Sequence, residues 1–106
     1  MTAACDAVDT LRRNYRPAVL RYLPRREEAA LHRAYELGRT ALTDGVSLLD
    51  LVQVHHGILV EVLRETPASD LEQTANAASE FLVEALAVYD MTQRRFHPPD
   101  TLTPGA

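Results

Sequence analysis

Histidine, cysteine and carboxylate side chains are the groups in this 106-residue chain that could bind a metal or catalyse a reaction, and their spacing limits what they can do. His55 and His56 are adjacent, and neighbouring helix positions point about 100° apart, so the pair cannot share one ion. The helical ligand pattern is i, i+4, as in H-E-x-x-H, and no two histidines here have that spacing. His32 and Glu36 do, but one histidine and one glutamate on a charged face read as a solvated pair. Position 55 falls in an apolar stripe with Leu51, Ile58 and Leu59, which makes His55 a hydrogen-bonded core or interface histidine and leaves His56 facing solvent. Cys5, the one cysteine, excludes an internal disulfide and a multi-cysteine zinc site, and its place in a first helical turn suits no structured nucleophile. Glu80 and Glu84 share a helix face, as di-iron ligands do, but such sites need Glu-x-x-His pairs and no glutamate here has a histidine three residues on. There is no P-loop, glycine-rich dinucleotide turn or nucleophile elbow. No catalytic residue, metal site or cofactor is expected, and the protein is expected not to be an enzyme.

The elements that position these residues must form one domain, since typical domains run about 100–150 residues. Hydrophobic residues make up 46% and charged residues 25%, an ordinary globular composition. No apolar run approaches the roughly 20 residues of a membrane span, and the opening MTAACDAVDTLRR lacks the basic and apolar regions of a signal peptide. A cytoplasmic protein without a membrane partner is expected. All eleven basic residues are Arg. Residues 1–45 hold eight Arg against six acids, residues 46–106 three against nine, and the net charge of −4 argues against a general nucleic-acid binder.

Turn signals divide the chain into four segments with helical period. The first, 3–23, places Val8, Leu11, Tyr15, Val19 and Tyr22 at steps of three and four, with either a kink or a restart at Pro17. In the second, 26–44, Ala30, Ala34, Leu37, Gly38, Ala41 and Leu42 form one stripe, and Gly45 stands where a helix needs positive φ just past its end. The third opens with Ser47 as N-cap, Asp50 completing a capping box and Val46 stapling onto Leu51. Val52, Val54, Ile58, Val60 and Val62 alternate as in a strand, but the cap, the length and the polar stripe through Gln53, Gly57, Glu61 and Arg64 favour helix. Thr66-Pro67 ends it, and Ser69 with Glu72 suggests a second capping box. The fourth, 70–96, carries Leu71, Ala75, Ala78, Phe81, Leu82, Ala85, Val88, Tyr89 and Thr92 over an arc of roughly 160°, wider than one core needs. Short loops between four helices imply an all-α, antiparallel up-down four-helix bundle spanning 1–97, with HPPDTLTPGA at 97–106 too proline-rich to pack, so that 98–106 form a disordered tail.

Excess apolar width on the third and fourth helices suggests surfaces covered by a partner or a second copy. The expected partner-binding residues are Val54, His55, Ile58, Val60 and Glu61, with Val54 on the exposed flank of the core stripe. The expected homodimer interface centres on Phe81, Leu82, Ala85, Val88 and Tyr89. A second function class is a small dimeric helix-turn-helix DNA-binding regulator, because Ala41, Gly45 and Leu51 mimic that motif. Its reading helix, LLDLVQVHHGILVEVL, offers no Arg or Lys to bases or phosphates, and Asp50 in its first turn repels phosphate.

The stretch YLPRREEAALHRAYELGR at 22–39, LLDLVQVHH at 48–56 and FLVEALAVYDMTQRRF at 81–96 together resemble the N-terminal regulatory domain of RsbU-type phosphoserine phosphatases, a domain related to the dimerisation domain of the clock protein KaiA. The likeness covers residues 22–96. Tyr89 and Asp90 stand where many relatives read Phe-Glu, and Arg95 where many read Gly; these departures touch only the end of the fourth helix. The resemblance implies a dimerising four-helix bundle that binds a switch-type serine kinase of the anti-sigma-factor class, in the partner-switching control of a stress sigma factor. In that family the binding turns on a C-terminal phosphatase or kinase module. This sequence stops soon after the fourth helix, as an excised domain or a stand-alone relative would.

Overall fold

The computed structural model describes residues 3–96; residues 97–106, including the expected tail, lie outside it. Four helices, α1 (Ala3–Tyr22), α2 (Glu28–Thr43), α3 (Leu48–Arg64) and α4 (Leu71–Phe96), form an all-α bundle. α1 runs unbroken through Pro17. Proline removes the bond to the carbonyl of Arg13, but both residues are exposed, where solvent can replace the lost bond.

Local signals fix the helix ends. Gly45, at φ +83°, ends α2, and the Val46 amide reaches back to the Ala41 carbonyl at 2.9 Å, closing a Schellman turn. Ser47 Oγ then accepts the Asp50 amide at 3.1 Å and caps α3. Val46, between the two, is buried with Leu51, as a hydrophobic staple requires. The start of α4 departs from expectation. A 3-10 turn, Ala68–Asp70, follows Pro67, and the Asp70 amide bonds the Pro67 carbonyl at 2.9 Å. Ser69 therefore lies inside that turn and is not the N-cap of α4.

The spatial order of the helices differs from their chain order. α2 packs most extensively on α4, and α1 on α2 and α3, whereas the consecutive α2 and α3 make little contact. α2 and α4 run in the same direction. Arg26, just before α2, donates to the Gln73 carbonyl at 2.9 Å near the start of α4, and the Tyr89 hydroxyl near its end donates to the Val46 carbonyl at 2.8 Å. Midway, Gly38 lies against the backbone of Ala85, so close that a Cβ would overlap the Ala85 carbonyl oxygen. Small residues make this approach possible, since Ala34, Ala41, Ala77, Ala78 and Ala85 are all buried. The larger residues of the core are Leu11, Tyr15, Val19, Tyr22, Leu37, Val46, Leu51, Val54, Ile58 and Phe81, and burying a Val, Leu, Ile or Phe side chain contributes roughly 1.5–3 kcal/mol.

Two glycines within helices are thus in opposite situations. Gly38 faces backbone that cannot yield, while Gly57 is exposed with nothing within 4 Å of an added Cβ. Gly38→Ala is expected to cost about 1–3 kcal/mol or more by overpacking, and Gly57→Ala to gain up to ~1 kcal/mol through helix propensity. Urea denaturation followed by circular dichroism measures both, and opposite shifts in midpoint are the expected result.

Candidate interaction surface and the polar core beneath it

At the centre of the bundle, Tyr15 of α1 reaches His55 of α3, with its hydroxyl 2.8 Å from Nδ1. Tyr15 is fully buried and His55 nearly so. The Tyr15 ring also meets Phe81 of α4 edge-on at 5.2 Å, a geometry that adds about 0.5–1.5 kcal/mol beyond burial. Burial holds the His55 imidazole below its ordinary value of 6.5, with the nearby His56 charge adding to the effect, and burial raises the Tyr15 phenol. His55 is therefore neutral and Tyr15 protonated at neutral pH, and the two side chains share one hydrogen bond whose direction follows the imidazole tautomer. At the α1 end of the core, the buried Tyr22 hydroxyl donates to Glu80 Oε1 at 2.8 Å. Arg26 lies beside the same carboxylate at 3.6 Å and adopts φ +52°, a left-handed conformation held in place by its contacts with α4.

Several expected site residues belong to this interior. Val54, His55 and Ile58 are buried, Val54 to 3% exposure, and none of them offers a docking surface. Helix geometry gives the reason. Val54 and Val60 lie about 120° apart around α3, so one face cannot present both, and the face that α1 and α4 cover includes Val54. Val60 is half-buried and Glu61 exposed, its carboxylate 3.9 Å from Arg16. Phe81, Ala85 and Val88 are likewise core residues, because the middle of the wide α4 arc is covered by the other helices of its own bundle. Only Leu82 and Tyr89 of that group retain exposed surface, and Tyr89 spends its hydroxyl on Val46.

The apolar surface left over lies elsewhere. Leu49 is 73% exposed, and Val52, Val60 and Leu63 are half-buried. With exposed His56 they fall within an arc of about 80° on the outer face of α3. Val83, 67% exposed, lies on α4 next to a flank of Leu71, Leu82 and Leu86. Sequence reasoning missed the α3 face, although the same 100° spacing that found the core stripe locates it. His32 and Glu36 form the surface pair expected of them, 3.9 Å apart. Among the described residues no cluster of three or more His, Cys, Asp or Glu could hold a metal, and no helix is long and apolar enough to cross a membrane.

The model of the family described as "Phosphoserine phosphatase RsbU, N-terminal domain" matches residues 13–92, well over half of the chain. The chain belongs to this family. No curated protein and no solved structure matched. As a member of the RsbU N-terminal domain family, the chain corresponds to the non-catalytic, regulatory part of a phosphatase. The stretches that resemble RsbU turn out to be packing motifs. AYELGR supplies Gly38 and FLVEAL the Ala85 backbone that it meets, while LLDLVQVHH supplies Leu51 and His55 to the core. The helix-turn-helix mimic sits across these stretches, but its two helices pack on α4 and α1 instead of on each other.

The lowered His55 value has a stability consequence. In the unfolded chain this histidine takes up a proton near its ordinary value of 6.5, while in the folded chain it resists doing so. The contribution is complete above pH 6.5 and is lost as pH falls below it, at up to about 1.4 kcal/mol per pH unit until the folded value is reached. Melting temperatures of wild type and His55→Gln between pH 7.5 and pH 5 check this sign, and the variant should lose most of the acid-side slope.

Proposed function

We propose that this protein is a cytoplasmic regulatory module that dimerises and binds a switch-type serine kinase of the anti-sigma-factor class, within partner-switching control of a stress sigma factor. Family membership supports the regulatory class. The observation that carries the interaction is the outer face of α3, where Leu49, Val52, Val60 and Leu63 present carbon to solvent around His56, with exposed Gln53 at the rim. Apolar patches of this kind on a small bundle mark association sites. The dimer contact falls on the flank of α4 formed by Leu71, Leu82, Val83 and Leu86, beside Tyr89.

Two surface substitutions separate the roles. Val83→Asp should convert a dimer into an 11.8 kDa monomer in sedimentation equilibrium at about tens of micromolar protein, with helicity unchanged. Leu49→Asp should weaken binding of the cognate kinase by about tenfold or more in a calorimetric titration, as loss of an exposed apolar anchor does, whereas Glu61→Ala, on a different face of α3, should change it little. A wild-type chain that sediments as a monomer sinks the dimer, and kinase affinity untouched by Leu49→Asp sinks the α3 site.

A further inference from the structure

Where α3 and α4 present carbon to solvent, the α1–α2 side presents guanidinium. A groove of about 940 Å³ runs between these two helices, with a small apolar floor of Pro17, Ala18, Ala29 and Ala30. Arg21, Arg25 and Arg33 stand on its walls. A second hollow of about 510 Å³ shares Arg21 and Arg25 and extends over Pro17, Leu20 and Pro24. Leu20 is 42% exposed there. Arg33 is partnered, 3.8 Å from Glu36, but among the described residues no carboxylate lies within 4.0 Å of Arg21 or Arg25. Arg21 is in the last turn of α1 and Arg25 in the turn that follows it, and both line the same two hollows. The N-terminal half of the sequence that builds this side carries a surplus of Arg, in a protein whose net charge is −4.

We infer that the α1–α2 groove docks a short acidic amphipathic segment of a partner protein. Its apolar side chains would lie on Pro17, Ala18, Leu20 and Ala29, and its carboxylates would pair with Arg21 and Arg25. Guanidinium and carboxylate match as planar, two-pronged partners, and a pair formed over apolar carbon is less screened than one in open water. The volume is that of a site able to bury several side chains. Glu27 and Glu36 on the same walls oppose a continuous polyanion such as nucleic acid, which favours a segment with separated carboxylates. The two arginines also complement the negative end of α1, but that role is confined to stability and needs no groove.

The experiment is fluorescence anisotropy on the full chain with a labelled synthetic peptide of about twelve residues, Leu at i, i+4 spacing and Glu between, and a Lys-for-Glu counterpart. The acidic peptide should bind with micromolar affinity that weakens with salt, and the Lys peptide about tenfold or more weaker. The double variant Arg21→Gln with Arg25→Gln should lose at least about tenfold in affinity while its circular dichroism and melting temperature stay near wild type; Arg13→Gln, away from the groove, should change nothing. Leu49→Asp, which disables the α3 face, should bind the peptide normally, so the two surfaces stand or fall separately. Absence of acidic-peptide binding, equal binding of the Lys peptide, equal binding by the double variant, or displacement of the peptide by a single-stranded oligonucleotide would each overturn the inference.

Discussion

The contact between Gly38 and the Ala85 backbone sets the spacing on which the rest of the bundle depends. Two helices whose backbones touch bury few large side chains between them, so the α2–α4 pair contributes closeness and direction more than hydrophobic area. One turn away along α4, Phe81 supplies bulk where it meets Tyr15 and Tyr22 of α1. Arg26 and Tyr89 hold the two ends of the pair through bonds to backbone carbonyls, which need no particular side chain on the opposite helix. Three contacts spread along α2 thereby fix both its distance from α4 and its register.

This arrangement determines which surfaces remain for partners. With α4 covered by α2 on one side and by α1 and α3 on others, the residues at the middle of its apolar arc are consumed by the fold. α3 has fewer neighbours, because the helix before it in the chain packs elsewhere, and its outer face keeps carbon exposed. Spatial order, more than hydrophobicity, separates core from exposed surface here.

That distinction explains what was readable from the chain. Gly45, Ser47 and the four helices were legible because caps and periodicity are local, decided within a few residues. His55 was legible as an interior residue because it falls in the stripe of Leu51 and Ile58. Val54 was not, since its burial depends on which helices flank α3. Gly38 was visible as a member of a small-residue stripe, but its contact with Ala85 joins helices far apart in sequence. Ser69 misled because Pro67 starts a tighter turn before the cap can form. The resemblance to RsbU rests on residues that pack, so it located the fold more sharply than the surface.

The tyrosines carry one more consequence. The chain has four of them and no tryptophan, so its near-ultraviolet absorption and fluorescence come almost wholly from phenol rings. Three of those rings are anchored to partners on different elements: Tyr15 to α3, Tyr22 to α4, and Tyr89 to the turn that joins α2 and α3. Each sits in a distinct asymmetric environment that exists only when two elements are docked. The protein thus contains its own set of optical reporters, one for each of three junctions, and loss of tertiary packing can be watched apart from loss of helix without adding a label.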